Sequence, residues 1–483
     1  MRTLDKLVRR WQLRALDRVD ADALCRVGAR RAVAQFRRVA RRVPTYATIL
    51  RAHGLDPERI RTPDELIAHA PIIAKADVFG PDPLDRCCLD GQLAPLAGVL
   101  TSSGQGGRFA FGLITPDQAR RTAKAIELAL EYSFQTDRHS TLLVNALPMG
   151  VRFACSTVTL AETSVREDMI RALIERFGPY HEQIILVTDP LFCKRVIDHG
   201  REHGLHWGRF KIHLVLGEET FGEAFRGYAM RALGQDPDGW TRGLAVSSMG
   251  VGEIGLNLFF ETRETIRLRQ LADREPARLR PLLGDWPGRV PPLIFVYDPL
   301  RVFVEVTDPD AKGYGDLTLT TLDPRQPLPL IRYRTGDRAR RLAHAEIAAG
   351  LAVSGQARIG LPALPMIAVT GRETDRLSDG RALLDLKDAL YGDPGLADRL
   401  SGAFRVEHLE QDGTPAHRIH VQLGAGQDAD PEPIAKRLAT LLQPSTLPSR
   451  DLIQVWPHAD FPFGRTLDYE RKFDYLGTAA SPR

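Results

Sequence analysis

Pro-Leu-Ile-Arg-Tyr-Arg-Thr-Gly-Asp at residues 329–337 is the stretch of this sequence that decides the fold. Its half-apolar run predicts a strand, and the Thr-Gly-Asp at its end predicts a turn that carries a carboxylate. A carboxylate held there can accept hydrogen bonds from both hydroxyls of a ribose, as acidic residues do in dinucleotide-binding folds. We therefore expect Asp337 to bind a nucleotide ribose, with an ordinary turn Asp as the alternative.

The order of elements before this stretch indicates a parallel sheet. Strands and helices alternate at 141–146, 164–176, 183–187, 190–203, 212–216, 219–233 and 244–247. Such alternation is typical of βαβ units. Shorter strands separated by Asp-Pro and Gly turns follow at 293–335 and predict a smaller β-rich subdomain.

The pattern changes after residue 371 and predicts a compact α+β domain. We expect helices at 382–391 and 431–443, and strands at 403–409, 417–423 and 451–456. The sequence therefore predicts a large α/β domain and a small C-terminal α+β domain. Their bounds are 1–371, with a helical N-terminal segment at 1–78, and 372–483.

The composition is that of a soluble globular protein with 43% hydrophobic and 26% charged residues. A chain of 483 residues has room for about two to four domains. We expect no membrane span, since no apolar run reaches about 18 residues. The first residues lack the apolar core of a secretory signal, and the five cysteines show no zinc spacing, so we expect a reducing cytoplasm.

The N-terminal arm, residues 1–43, carries a net charge of +9, whereas the whole chain carries only +4. Its apolar residues recur at helical spacing, at Leu4, Leu7, Val8, Trp11, Phe36, Val39 and Val43. We expect two Arg-rich helices that pack on the body by their apolar faces, with binding to an anionic membrane surface as the alternative. No nucleic-acid motif accompanies the arm, so we expect no nucleic-acid partner.

Thr-Ser-Ser-Gly-Gln-Gly-Gly-Arg at 101–108 is a candidate phosphate loop, because it follows an apolar run. Glycines permit backbone angles that turn N–H groups and hydroxyls toward a triphosphate. It is not a Walker motif, since no Gly-Lys-Ser/Thr follows. The candidate ligands are Ser102, Ser103, Gly104, Gly106, Gly107 and Arg108, with Arg108 as the cation.

Ser-Met-Gly-Val-Gly-Glu-Ile-Gly at 248–255 is a candidate metal-binding turn. The carboxylate of Glu253 is a hard oxygen ligand of the kind that suits Mg²⁺ beside phosphates. A tight turn with a solvated Glu is the alternative.

Four motifs in this order resemble those of the adenylate-forming (acyl-CoA synthetase) superfamily, and most closely its phenylacetate–CoA ligase branch. Thr-Thr-Leu at 320–322 with residues 329–337 resembles the ATP-ribose motif, and 101–108 resembles the phosphate loop. The turn at 248–255 resembles the adenine and Mg²⁺ turn. Gly-Arg-Glu-Thr-Asp at 371–375 resembles the hinge before a mobile lid. The resemblance spans about residues 40–475.

The resemblance implies a role for each matching residue. Asp337 would bind the ATP ribose, and Arg372 the ribose or phosphate. Glu253 would help to hold Mg²⁺, and Lys472 would be the catalytic lysine that neutralises charge on the carboxylate and α-phosphate. Residues near the adenine would be Gly217, Glu218, Met249 and Gly250.

The sequence departs from the family pattern at several of these positions. Gln105 and Gly106 replace two threonines of the phosphate loop, and no Lys follows them. Met249 replaces an aromatic residue, and Gly252 replaces a hydroxyl residue. Lys472 lacks the usual preceding glycine.

The resemblance implies ATP-dependent activation of a carboxylic acid, followed by transfer to a thiol, with coenzyme A as the expected acceptor. An aryl or arylacetic acid would lie against the small residues Ala245, Ser247 and Ser248, although plain core packing explains these equally well. An acyl-carrier protein or an amine as acceptor remains open, as do a homodimer and a non-catalytic scaffold with a membrane- or partner-binding arm.

Overall fold

A mixed sheet of 11 strands forms the centre of the protein, and the C-terminal region carries a second sheet of four strands. The computed structural model describes residues 2–16, 18–80, 82–102, 109–148, 150–238, 241–353, 355–356, 358–411, 414–442, 452–464 and 469–477. The strands are β1 (Gly98–Thr101), β2 (Phe111–Ile114), β3 (Thr141–Asn145), β4 (Thr159–Glu162), β5 (Gln183–Thr188), β6 (Ile212–Leu216), β7 (Ala245–Val251), β8 (Gly255–Phe260), β9 (Leu293–Tyr297), β10 (Val302–Thr307), β11 (Gly315–Thr321), β12 (Tyr333–Leu342), β13 (Met366–Arg372), β14 (Leu400–Gln411), β15 (Thr414–Leu423), β16 (Leu452–Trp456) and β17 (Leu476–Gly477).

Helices cover the sheets and form the N-terminal segment. They are α1 (Arg2–Leu16), α2 (Ala21–Arg42), α3 (Pro44–Ala52), α4 (Pro63–His69), α5 (Lys75–Val78), α6 (Pro116–Phe134), α7 (Glu167–Phe177), α8 (Pro190–Glu202), α9 (Glu223–Ala232), α10 (Arg263–Arg274), α11 (Pro276–Leu283), α12 (His344–Val353), α13 (Leu383–Ala389), α14 (Pro394–Ala397) and α15 (Pro431–Leu442). No helix in the described ranges is long and apolar enough to cross a membrane.

One half of the large sheet is parallel, in the order β7-β6-β5-β3-β4. β3 and β5 are buried along their whole length, as expected for parallel strands that helices cover on both faces. The predicted βαβ alternation is confirmed, with α8 between β5 and β6 and α9 between β6 and β7.

The other half is antiparallel, in the order β10-β11-β12-β13-β9-β8-β7. The predicted β-rich region therefore continues the same sheet. The strand predicted before the Thr-Gly-Asp turn is displaced, because β12 begins only at Tyr333 and continues past Asp337. Arg332 ends the preceding segment with a left-handed φ of 48°.

A bulge in β12 takes Asp337 out of the pairing with β11. β12 pairs with β11 at Thr318↔Arg334 and again at Asp316↔Arg338, so β12 has two extra residues between these pairs. Gly336 has a φ of +89°, which glycine adopts without strain. Bulges of this kind redirect a side chain next to a binding site.

The two Arg-rich helices form as predicted, but only α2 packs by its apolar face. Phe36 and Val39 of α2 are fully buried, whereas Trp11 of α1 is 70% exposed. The prediction for α1 is therefore wrong. Its buried residue is Arg9, which forms ion pairs with Asp137 at 2.6 Å and Glu127 at 3.1 Å.

The C-terminal region carries the sheet β16-β15-β14-β17 together with α13, α14 and α15. These elements confirm the predicted fold class, a large α/β part followed by a small α+β part. β13 of the large sheet ends at Arg372, next to the predicted boundary at 371/372, and the boundary itself stays a prediction.

Candidate active site

The carboxyl ends of the parallel strands β5, β6 and β7 lie along one edge of the sheet. The sheet changes from parallel to antiparallel at β7. Asp189 follows β5, and Gly217 and Glu218 follow β6. The turn that contains Glu253 follows β7. Ligands of open α/β sheets bind at the carboxyl ends of strands, so this edge is the expected position of a site.

Asp337 and Arg372 lie opposite each other in the β12–β13 ladder. The Arg372 Nε lies 3.6 Å from the Asp337 Oδ1, and the Asp337 side chain is 16% exposed. Burial raises the pKa of Asp337, and the Arg372 charge opposes that rise. Arg372 therefore engages the Asp337 carboxylate only partly, and the Asp337 oxygens can still accept hydrogen bonds from hydroxyl donors.

Glu253 accepts a hydrogen bond from the hydroxyl of Tyr333, a residue of the decisive stretch that sequence reasoning did not select. Tyr333 is 1% exposed, and burial together with the Glu253 charge raises its pKa. The phenol therefore stays protonated and orients the carboxylate. A buried Tyr donor cannot be recognised from the strand pattern alone.

The Glu253 turn packs directly on the start of the phosphate loop. A Cβ at Gly252 would lie 3.3 Å from the Thr101 carbonyl oxygen and 3.4 Å from the Ser102 Cα. A Cβ at Gly112 would lie 2.3 Å from the Gly252 carbonyl oxygen. This close approach gives a physical reason for glycine at 252, where the family pattern has a hydroxyl residue.

Lys75 is a functional candidate that sequence reasoning missed. Its Nζ donates to the Ser102 Oγ at 2.9 Å, and the same Oγ accepts the Ala110 N–H at 3.0 Å. Burial lowers the pKa of Lys75, while Glu253 raises it and Arg372 lowers it, so both charges lie within electrostatic range. Lys75 therefore brings a cation to a loop whose sequence has no lysine.

Backbone pairing with the decisive stretch positions Lys75. Ile73 N–H donates to the Arg332 carbonyl oxygen at 3.0 Å, and Arg334 N–H donates to the Ile73 carbonyl oxygen at 2.9 Å. The sequence held one signal for this role of Lys75. The loop at 101–108 has no lysine, whereas the segment 71–78, which also resembles the family, has one. The other loop candidates, Ser103, Gly104, Gly106, Gly107 and Arg108, lie outside the described residues.

Lys472 reaches the same edge from the C-terminal region. Its Nζ donates to the Glu218 carbonyl oxygen at 2.7 Å and lies 3.3 Å from the Glu218 Oε2. Glu218 has a left-handed φ of 65°, which belongs to the turn after β6. The Lys472 charge lowers the pKa of Asp337, so the two side chains lie within electrostatic range of each other.

A small cleft lies between the strand ends and residues 469–473. Its lining includes Asp189, Glu218, Glu219, Arg471 and Lys472. Asp189 caps α8 by accepting the Phe192 N–H at 2.9 Å. Burial, with Glu219 and Glu218 nearby, raises the pKa of Asp189 to about 7.

The residues predicted to contact the acid and the adenine lie along β7 and beside it. Ala245 and Ser247 are buried, and the Ser248 hydroxyl bonds the Asn257 side chain at 2.9 Å. Gly217 lies beside Ser248, since a Cβ there would be 3.4 Å from the Ser248 carbonyl oxygen. Met249 is half-buried against the core and Gly250 is exposed. Their roles as ligands stay predictions.

A second group of potential metal ligands lies at the far end of α8. Ligand atoms of His199, Glu202 and His203 lie within 4.8 Å of one another. Arg195 already donates to both Glu202 oxygens at 3.2 Å and contacts the His199 Nδ1 at 3.4 Å. A guanidinium thus neutralises this group, and we assign no metal to it.

No family model matches the sequence, and no curated protein matches it. The structure is similar to that of 2-hydroxyisobutyryl-CoA ligase in the postadenylation state in complex with 2-HIB-AMP. That match has a TM-score of 0.65 and 13% identity, over 95% of this chain and 90% of that chain. The same ligase in complex with 2-HIB-AMP and CoA in the thioesterification state matches with a TM-score of 0.51 and 14% identity, over 89% and 86%.

The structure is also similar to the acyl acid amido synthetase AtGH3.15 in complex with 2,4-DB. That match has a TM-score of 0.54 and 13% identity, over 97% of this chain and 94% of that chain. The similarity extends over nearly the whole length of both proteins, as it does for the CoA ligase. The chain therefore has the fold of the adenylate-forming ligases.

Proposed function

We propose that this protein uses ATP to activate a carboxylic acid as an acyl-adenylate and then transfers the acyl group to the thiol of coenzyme A. The observation that carries the proposal is a group of charged residues within electrostatic range of one another. Arg372 and Lys472 both act on Asp337, and Glu253 and Arg372 both act on Lys75. Asp337 and Glu253 come from the large sheet, Arg372 from its end, and Lys472 from the C-terminal region.

In the first step the substrate carboxylate attacks the α-phosphorus of ATP, and pyrophosphate leaves. Asp337 accepts hydrogen bonds from the ribose hydroxyls and fixes the nucleotide. Lys75, which donates to the Ser102 hydroxyl, would meet the phosphate chain. Lys472 and Arg372 supply positive charge near the reacting groups. Positioning and charge neutralisation of this kind account for most of the catalysis in such displacements.

The residues present fit a magnesium ion beside the phosphates. Glu253 offers a carboxylate that Tyr333 orients, next to the start of the phosphate loop. Mg²⁺ is usually held by one or two carboxylates together with substrate phosphates. When bound, the ion would neutralise charge on the phosphate oxygens, and Glu253 would hold it.

In the second step the thiol sulfur attacks the acyl carbonyl carbon, AMP leaves with the electron pair of the broken C–O bond, and the thiol proton passes to solvent. Lid rotation about residues 371–375 would open the site to the thiol. The stronger likeness to the postadenylation state than to the thioesterification state supports a domain arrangement that precedes this step.

An aryl or arylacetic acid is our proposed substrate class, on the basis of the sequence resemblance to phenylacetate–CoA ligases. The side chains of Ala245, Ser247 and Ser248 along β7 are small, as a flat ring beside this strand would require. An amine as acceptor is the second candidate, because the likeness to an amido synthetase covers 97% of this chain. A carrier-protein thiol as acceptor and a cytoplasmic location also stay predictions.

The test is acid-dependent exchange of ATP with pyrophosphate over a panel of aromatic and aliphatic acids. Exchange should appear with one acid class and be lost in Lys472→Ala. Lys436→Ala is the matched control, since this exposed lysine of α15 lies in the same region. ATP binding without exchange for any acid would contradict the proposal. Single-turnover transfer to CoA or to an amine would then identify the acceptor.

A further inference from the structure

The outer face of α1 carries an apolar stripe on the protein surface. Leu4, Leu7, Val8 and Trp11 are 66%, 57%, 46% and 70% exposed. Their spacing of three and four residues places them on one side of the helix. Such a side normally faces a core, so its exposure calls for a partner.

Polar contacts on the opposite side hold α1 in this orientation. Arg9 is 7% exposed and pairs with Glu127, which lies on α6, and with Asp137, which follows α6. Lys6 Nζ donates to the Asp137 carbonyl oxygen at 2.9 Å. Rotating α1 to bury its apolar stripe would strip the buried Arg9 of both carboxylates, a strongly unfavourable change.

Basic side chains border the stripe. Arg10 and Arg14 are exposed and lie beside Leu7 and Trp11 on the helix surface, and Arg18 follows them. Residues 1–43 carry a net charge of +9. A second copy of this chain that docked through its own α1 would bring the same positive charge against this helix and repel it, whereas anionic lipid headgroups are complementary to it.

We propose that α1 docks this protein on an anionic lipid bilayer, with its apolar stripe at the headgroup–acyl boundary. The indole of Trp11 is a group that favours the membrane interface, and Leu4, Leu7 and Val8 supply the apolar area. Arg10 and Arg14 meet the anionic headgroups. This docking does not depend on the proposed ligase activity.

The test is flotation of the full chain with vesicles of phosphatidylcholine alone and of phosphatidylcholine with phosphatidylglycerol. The wild type should float only with the anionic vesicles, and less in high salt. Leu7→Ser with Trp11→Ser should lower the partition coefficient at least about tenfold, since two side chains lose apolar burial. The matched control is Tyr180→Ser with Val353→Ser, two exposed apolar residues elsewhere, which should float as the wild type does.

Two further variants separate docking from misfolding. Arg10→Gln with Arg14→Gln should weaken flotation about tenfold or more, because each basic residue near an anionic surface contributes about 1 kcal/mol. Trp11→Phe keeps an apolar ring and should float normally, but it should lose the blue shift of tryptophan emission that vesicles cause in the wild type. That shift reports the environment of Trp11 itself.

Three results would overturn the docking. The first is no flotation with anionic vesicles, and the second is unchanged flotation of the Leu7→Ser, Trp11→Ser variant. The third is a dimer by light scattering that the same variant converts to a monomer, which would assign the stripe to a second copy of this chain.

Discussion

The large sheet and the C-terminal region hold their site residues in different ways. Glu253 is held by the buried Tyr333, and Lys75 by Ser102 and by backbone pairing of its segment with β12. Lys472, by contrast, bonds the turn at Glu218, and its side chain is 20% exposed.

This difference suggests that the two regions contribute to different steps of the proposed reaction. Groups locked into the sheet suit nucleotide binding, which must be the same before and after the chemical step. Groups on the C-terminal region suit a charge that is needed only in the transition state. Substitutions on the two sides should therefore separate affinity from rate.

The largest effect should come from Lys472→Ala. In the proposed mechanism this side chain supplies charge near the reacting groups, so we expect the ATP–pyrophosphate exchange rate to fall by about 10²–10³. ATP affinity should change little, since the mechanism needs this charge mainly in the transition state. Nucleotide titration and exchange on the same preparation would measure both, and undiminished exchange would remove Lys472 from the mechanism.

Asp337→Ala should have the opposite signature. Loss of two ribose hydrogen bonds to a charged acceptor should weaken ATP binding about 100-fold. AMP binding should weaken equally, because both nucleotides carry the same ribose. Asp308→Ala, at an exposed carboxylate between β10 and β11, is the control. Intact affinity for both nucleotides would show that the ribose assignment is wrong.

Lys75→Met should weaken ATP binding about tenfold through loss of one charge-assisted contact. AMP binding should hold, because the phosphate loop meets the phosphates beyond the α-position. Lys124→Met, at an exposed lysine of α6, provides the comparison. Equal losses for ATP and AMP would show that Lys75 supports the fold of the loop instead of binding phosphate.

Local patterns were sufficient to predict the parallel half of the sheet, because fully apolar runs such as β5 are diagnostic of strands covered on both faces. They failed where a long-range pairing decides the outcome. Lys75 reaches the site only because Ile73 pairs with a strand some 260 positions away. The bulge at Gly336 likewise depends on how β11 and β12 register.

The burial of α1 was mispredicted for a related reason. Its periodicity resembles that of α2, and nothing in residues 1–43 shows that Arg9 would find Asp137 and Glu127. A helix that has both an apolar face and a charged face is oriented by the residues that it contacts. For α1 these residues are Glu127 in α6 and Asp137 after it. The structure places Arg372 and Lys472 within electrostatic range of Asp337, whereas the roles of Asp337, Glu253, Arg372 and Lys472 stay predictions.

An effect on stability, instead of on activity, is expected at Asp189 on the sheet side of the cleft. Its pKa is raised to about 7, whereas an unfolded chain releases this proton near pH 4. Between these values the folded protein holds a proton that the unfolded chain does not. The free energy of unfolding should therefore fall as pH rises from about 4 to 7, by at most roughly 1.4 kcal/mol per pH unit.

Asp189→Asn should remove that pH dependence, because Asn still caps α8 at the Phe192 N–H but carries no charge. Relative to the wild type, the variant should gain stability at pH 8 and little at pH 5, as measured by urea unfolding. Asp393→Asn is the matched control, since Asp393 also caps a helix but has a lowered pKa and stays ionised at both pH values. Parallel pH profiles for the wild type and Asp189→Asn would show that the carboxyl is ionised in the folded cleft.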